Sequence, residues 1–267
     1  KPEKMYWENL IVDEGQDFPK EFYLFLTFLR HENTVTQDRP TPAVTIFADD
    51  NQRMEEGRNS TISQISTYMP EAIKYAVTTN YRNSGPIARL ANYFCLDMST
   101  GKSVVSDHSK GAIPQLRKFN DLDEEMSSVL QWLGNNEDLS AGVIVSDRQT
   151  QKRVVQALKL LAEGKKVRVQ KYSSGNDAKQ VDFYGKSTIT VVCDKSCKGL
   201  EFDGVFVPQL QGYKTDGANE DFFKMKMYVM TSRARSLLQL SYSDCDEEPQ
   251  VLKMLPPKDK ELLIWRI

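Results

Sequence analysis

Cysteine, histidine, long apolar runs and net charge are all scarce in this 267-residue chain, and each scarcity removes a class of protein. The four cysteines (Cys95, Cys193, Cys197, Cys245) are too few and too scattered for a disulfide framework and read as reduced thiols. Cys193 and Cys197 have a C-x3-C spacing, but a structural zinc site wants four ligands, and the two histidines, His31 and His108, lie far off in sequence. Neither histidine has a neighbouring nucleophile and acid that would make a triad. No stretch approaches the roughly 18 uninterrupted apolar residues of a membrane span. The opening "KPEKMYWENL" lacks the apolar core of a signal peptide, so the default setting is cytoplasmic, without a membrane. A net charge of −2 excludes a general basic coat, and any nucleic-acid site must be a local patch. What remains, 40% apolar and 27% charged residues, describes a globular protein of one large domain, or one domain plus part of another.

Apolar runs of strand length alternate with longer amphipathic segments almost from end to end, the pattern of an α/β fold with a mainly parallel sheet. "NLIVD", "AVTIFAD" and "IKYAVTTNY" read as strands, with helices at "PKEFYLFLTFLR", near "STISQISTYM" and at "SGPIARLANYFCLDM". After a connection around residues 99–111 the alternation resumes with strands "PQLRKF", "AGVIVSD", "KVRVQKY", "STITVVC", "GVFVPQL" and "SLLQLSY". Helices "LDEEMSSVLQWL", "QTQKRVVQALKLLAEG" and "NEDFFKMKMYVMTSRA" lie among them. The domain boundary falls near Thr78 to Ser84, which divides the chain into residues 1–80, 81–244 and an acidic, Pro-containing extension at 245–267. The first part is too short to be a complete nucleotide-binding sheet.

"LIVDEGQDFP", residues 10–19, ends an apolar strand in Asp13, Glu14 and Asp17. Carboxylates at the carboxyl end of a parallel strand stand where α/β folds bind ligands. One can hold Mg²⁺ directly or through water while its neighbour takes a proton from an attacking water. A solvated loop, with Asp17 capping the helix after it, is the plainer alternative.

"IVDEGQDFP", "TIFADDNQRM", "TTNYRNSGPIARLAN", "CKGLEFDGVFVPQ" and "MYVMTSRARSLLQLSY" resemble, in order, motifs II to VI of superfamily 1 helicases of the UvrD, Rep and PcrA type. The resemblance runs from Leu10 to Tyr242. It implies a second RecA-like motor domain preceded by the C-terminal part of a first, with ATP hydrolysed between them and coupled to movement on single-stranded DNA. By the same resemblance Asp13 coordinates Mg²⁺, Glu14 activates the attacking water and Gln52 senses the terminal phosphate. Tyr81 stacks on adenine, Arg82 and Arg233 reach the γ-phosphate, and Glu201 contacts the nucleotide sugar. Lys195, Lys198 and Arg53 are the candidates for nucleic-acid contact. Cationic guanidinium groups suit this chemistry, since phosphoryl transfer spreads negative charge over the transferred group.

Three departures from the family pattern stand out. Glu55 and Gly57 occupy the region where base-stacking aromatics are usual. "CDKSCKGLEF" carries Cys193 and Lys195 where Thr and His are usual. Above all, the phosphate loop G-x-x-x-x-G-K-[ST] is missing. "LDMSTGKS", ending at Ser103, and "QVDFYGKS", ending at Ser187, have Leu96 and Gln180 in place of its first glycine. The second also runs into a strand where a phosphate loop must open a helix. The expectation is therefore that an upstream segment of the same polypeptide carries the loop and that the isolated chain hydrolyses ATP negligibly. The alternative is a helicase-like module that binds nucleic acid or protein without ATPase activity, with Lys166, Arg168 and Tyr172 on one face of "KKVRVQKY" as a backbone-tracking surface. An edge strand explains those lysines more simply. A metal-dependent nuclease is the third reading, and no D…E-x-K set supports it.

Overall fold

The computed structural model describes residues 7–36, 40–53, 59–96, 101–105, 110–173, 181–182, 185–215 and 219–267. The chain divides into two compact units, residues 1–77 with 96–101 and residues 78–95 with 102–267. Glu55, Gly57 and His108 lie outside the described residues.

In the first unit, strands β1 (Asn9–Val12) and β2 (Ala43–Ile46) pair in parallel, Val12 opposite Ile46. Helices α1 (Lys20–His31) and α2 (Ile62–Tyr68) cover one face of this pair. Side chains alternate along a strand, so Leu10, Val12, Val44 and Ile46 share the face that packs on Tyr23, Leu26, Ile65 and Met69. Ile11 and Phe47, of the opposite parity, are exposed. Pro19, whose missing N–H costs nothing at a helix start, is the N-cap of α1. Thr61 and Gln64 close a reciprocal capping box on α2.

The second unit is an α/β domain around a seven-stranded, all-parallel sheet, the class that the alternation predicts and consistent with the RecA-like domain that the resemblance implies. Its strands are β3 (Gln115–Lys118), β4 (Ser140–Val145), β5 (Arg168–Tyr172), β6 (Thr188–Cys193), β7 (Phe202–Val207), β8 (Ala234–Tyr242) and β9 (Ile264–Arg266). Their order is β5-β6-β4-β7-β8-β3-β9. β4 is buried at every position, as a central parallel strand covered on both faces must be. One face packs Ala141, Val143, Val145, Ile189, Val191 and Phe206 against helices α4 (Leu122–Gly134) and α5 (Arg148–Leu161). Asp121 and Asp147 cap these helices by accepting from first-turn amides. Ile144, Val192, Val205, Leu238 and Leu240 are buried on the other face, where α3 (Gly85–Phe94) and α6 (Asn219–Thr231) pack on each other and on β8. β5 is an edge strand, which accounts for its exposed Arg168 and Lys171.

Two elements differ from the reading of the sequence. "IKYAVTTNY" forms no strand: Ile73, Tyr75 and Val77 are exposed, and only Thr79 makes an isolated parallel bridge, to Val104. Period-two alternation becomes a strand only beside a partner, and no described strand lies alongside it. Residues 245–267, in contrast, are built into the fold. Val251, Leu252, Leu255 and Leu263 are buried, and β9 hydrogen-bonds to β3 as the last strand of the sheet.

Gly142 in β4 lets the Phe202 ring lie against the backbone, since a Cβ there would stand 2.2 Å from Phe202 Cδ2. Gly142→Ala is expected to destabilise the domain by about 1–3 kcal/mol through overpacking. Urea unfolding of the two proteins measures this, and an unchanged midpoint would place the ring elsewhere.

Candidate functional site

At the end of β1 the chain turns sharply. Glu14 has φ 52° and ψ 45°, a left-handed conformation uncommon for a residue with a side chain. Gly15 follows because nothing larger fits: a Cβ there would lie 2.5 Å from Ile46 Cγ2, and the Gly15 amide donates to Phe47 O at 2.7 Å. The buried Tyr23 hydroxyl donates to Gly15 O from the opposite side, and burial together with the charge of Asp17 pushes the Tyr23 pKa to about 12. The turn leaves Asp13 exposed and Glu14 half-buried.

A chain of side-chain hydrogen bonds then joins the ends of the two strands. The Gln16 Nε2 donates to Glu14 Oε2 at 2.7 Å, and the Asp49 amide donates to Gln16 Oε1 at 3.0 Å. Asp49 Oδ2 accepts from Gln52 Nε2 at 2.9 Å, while its Oδ1 accepts from the Asn51 amide at 2.9 Å. The structure thus brings Asp13, Glu14 and Gln52 to one end of the β1–β2 pair. Gln16 and Asp49 supply the links, and sequence reasoning assigned neither a role although both lie inside the quoted motifs. Arg53 Nε donates to Asp50 O at 3.1 Å. Among the described residues no group of three or more His, Cys, Asp or Glu side chains could cage a metal. The Asp13–Glu14 pair fits Mg²⁺ all the same, an ion that keeps several waters and is held by one or two carboxylates together with substrate phosphates.

The second unit carries its own cluster, gathered from three distant stretches. Asn80 Oδ1 accepts from the amides of Arg82 at 3.0 Å and Asn83 at 3.1 Å, which folds "NYRN" into a tight turn before α3. The buried Asn83 Nδ2 donates to Ser232 O at 3.0 Å and Ala234 O at 2.6 Å, and the Ser84 amide donates to Arg235 O at 2.9 Å. The turn is therefore pinned to "TSRAR". In the sheet, Phe202 pairs with Ala234 and its amide donates to Arg233 O at 3.0 Å, so Glu201, just before β7, lies against the start of β8, within diagonal reach of Arg235.

Glu201 takes two guanidinium partners. Arg82 Nε lies 2.6 Å from its Oε1, and Arg235 donates to its Oε2 from Nε at 3.2 Å and Nη2 at 2.9 Å. Partial burial works against ionisation, yet the Arg235 hydrogen bonds and the charges of Arg82, Arg235 and Arg233 hold the Glu201 carboxyl below its ordinary pKa. Arg233 is only 2% exposed; its Nε donates to Val229 O at 3.0 Å and its Nη2 to Ser232 Oγ at 2.9 Å. Tyr81, beside Arg82, is 90% exposed, so its ring is open to a stacking partner. The structure brings Tyr81, Arg82, Glu201 and Arg233 into one region of this unit. Arg235, absent from the expected set, makes the closest contact with Glu201 after Arg82.

The loop after β6 is held by Asp194, a buried carboxylate 2.8 Å from Lys226 Nζ of α6 that also accepts from the Lys195 amide at 2.6 Å. Lys195 is exposed and Lys198 half-buried, both on this loop. Burial pushes the Cys197 thiol to about 12 and raises Cys193 as well, so neither is a thiolate at neutral pH. Neither phosphate-loop look-alike opens a helix among the described residues that follow it. Ser103 is bonded to Asn92 and starts no helix in residues 104–105, and Ser187 leads directly into β6.

No protein family profile matches the chain, and no curated protein matches it. Among solved structures, the C-terminal domain of a possible DNA helicase from Lactobacillus plantarum WCFS1 is similar at TM-score 0.50 and 17% identity, covering 71% of this chain and all of that one. An arterivirus nonstructural protein 10 (helicase) in complex with DNA is similar at TM-score 0.35 and 12% identity, over 57% of this chain and 34% of that one. The first likeness is one of fold: this chain shares the parallel-sheet architecture of that domain.

Proposed function

We propose that this chain is the C-terminal portion of an ATP-dependent superfamily 1 helicase of the UvrD, Rep and PcrA type, one that couples ATP hydrolysis to movement on single-stranded DNA. The observation that carries this reading is the gathering of Tyr81, Arg82, Glu201 and Arg233 from three stretches of the chain, the first more than a hundred residues from the other two. An exposed ring beside three guanidiniums and one carboxylate suits a base, a polyphosphate and a sugar. The acidic strand end of the first unit would supply a metal ligand and a base. Asp13 would hold Mg²⁺, whose charge neutralises the phosphate oxygens. Glu14, oriented by Gln16, would accept the proton of the attacking water. Gln52, tied through Asp49 and Gln16 to Glu14, would report the terminal phosphate to that base. Arg82 and Arg233 would stabilise the charge developing on the transferred group. Lys195, Lys198 and Arg53 would contribute contacts to the nucleic-acid strand.

The phosphate cradle is assigned to an upstream segment of the same polypeptide. Parallel strands are covered on both faces in α/β proteins, and the face of β1 and β2 bearing Ile11 and Phe47 is exposed apolar surface of the kind such a segment would cover. The chain alone, with Mg²⁺ and single-stranded DNA, is expected to show negligible ATP turnover. Extended through an in-frame G-x-x-x-x-G-K-[ST], it should turn over ATP, and Glu14→Gln should then cut the rate by about 10²–10⁴. Robust turnover by the chain alone that Glu14→Gln abolishes would refute the upstream assignment. A reading frame without such a loop would leave a helicase-like binding module.

A further inference from the structure

We propose that Arg235 is a positioning residue, a fixed anchor that keeps Glu201 paired while Arg82 leaves it for the phosphate tail of a bound nucleoside triphosphate. This rests on the nucleotide site proposed above and adds a division of labour between the two arginines that share one carboxylate. Arg235 stands on β8, and Glu201 immediately precedes the neighbouring β7, so their approach is set by the ladder that pairs Phe202 with Ala234. Arg235 donates to the single oxygen Oε2 from both Nε and Nη2, two charge-assisted hydrogen bonds to one acceptor. Arg82 stands on a turn, not a strand, and meets the other oxygen, Oε1, through Nε. The carboxylate is therefore divided into a sheet-borne half and a loop-borne half.

This division has a physical consequence. Glu201 is partly buried, and a carboxylate in such a place is costly to leave without a cation. If Arg82 were its sole partner, a phosphate tail could recruit Arg82 only by stranding Glu201. With Arg235 in place, Arg82 can turn to the phosphates and Glu201 stays ionised, oriented and able to accept from a sugar hydroxyl. The cluster of Arg82, Arg233 and Arg235 against Glu201 carries three positive charges and one negative, a net +2 that draws a polyphosphate to it.

The test follows the arginine Nε–H signals of the whole chain by ¹⁵N NMR, assigned through Arg82→Lys and Arg235→Lys, during titration with millimolar MgATP and, separately, inorganic triphosphate. The Tyr81 ring signals are followed in the same samples. The expected result is a saturable shift of the Arg82 signal with both additions and an unmoved Arg235 signal. In Arg235→Ala, the preference for ATP over ADP should fall about tenfold, because Glu201 then retains Arg82, and Arg235→Lys should restore part of it. Movement of the Arg235 signal together with, or instead of, that of Arg82 would overturn the proposal. So would an unchanged ATP preference in Arg235→Ala. A response of Tyr81 with neither arginine moving would also overturn it while leaving the nucleotide site standing. No response from Tyr81, Arg82 or Arg235 would remove the nucleotide site itself.

Discussion

Glu125→Ala is expected to lower the unfolding free energy by about 1–3 kcal/mol for each buried donor it leaves unsatisfied. Glu125 sits in the first turn of α4 and is 1% exposed. Its Oε1 accepts from the Gln209 amide at 3.3 Å, and its Oε2 accepts from Gln209 Nε2 at 2.7 Å and Ser243 Oγ at 3.2 Å. Gln209 lies just past β7 with φ 56°, a left-handed conformation that a non-glycine residue holds only where its surroundings fix it. Ser243 directly follows β8. One carboxylate therefore fastens the start of a helix to the ends of two neighbouring strands, and alanine would leave those buried donors without an acceptor.

Glu125→Gln keeps the shape but turns an NH₂ toward donors, so a loss of about 1–3 kcal/mol is expected. Its pH dependence carries a sign. Burial raises the Glu125 pKa, and the hydrogen bonds from Gln209, Ser241 and Ser243 only partly oppose this. A carboxyl whose folded pKa lies above its unfolded value stabilises fully below the unfolded value and loses that contribution as pH rises through the folded one. The native protein should thus lose part of its advantage over Glu125→Gln on going from acid toward neutral pH. Urea unfolding of both proteins across that range measures the gap, and a gap that widens with pH would contradict the direction of the shift.

How much was legible in the sequence depended on whether a signal was local. The central strands are legible in runs such as "STITVVC" and "AGVIVSD", since strands buried on both faces read as nearly continuous apolar and β-branched runs. Pro86 marked the start of α3 for an equally local reason, its fixed φ. "IKYAVTTNY" carries the same local signal as a true strand and yet makes no ladder, because pairing requires a neighbour that local pattern does not reveal. Residues 245–267 present the opposite case. A three-residue strand following acidic and Pro-containing turns has too few positions for periodicity to show, and β9 becomes a strand through its bonds to β3. The site divided along the same line. Glu201 and Arg82 stood out as residues of recognisable motifs, but Arg235 did not, because its importance comes from the register that sets Phe202 opposite Ala234. Gln16 was passed over for the same reason: its two bonds, to Glu14 and to the Asp49 amide, exist only once β1 and β2 are side by side.

Arg233→Ala, in a polypeptide that carries the phosphate loop, is expected to lower kcat for ATP by about 10³–10⁵, the contribution of an arginine finger. Part of any loss could be structural, since Arg233 is buried and its removal leaves Val229 O and Ser232 Oγ without its N–H groups. That part should be about 1–3 kcal/mol of stability. The two effects separate on temperature. Well below the melting transition a destabilised domain is still almost wholly folded, so lost stability barely lowers kcat there, whereas a missing transition-state contact lowers it at every temperature. Arg233→Lys sharpens the comparison, because it retains a positive charge but lacks the planar fork that reaches two oxygens at once. Its kcat should remain at least about tenfold below the native value while KM for ATP changes little, the pattern of a contact made in the transition state and not in the ground state. Arg235→Ala should do the reverse, changing nucleotide preference with a smaller effect on kcat, because its partner is Glu201 and not the transferred phosphate. Equal effects of the two substitutions on kcat and KM would mean that both arginines serve only to hold the turn between α6 and β8.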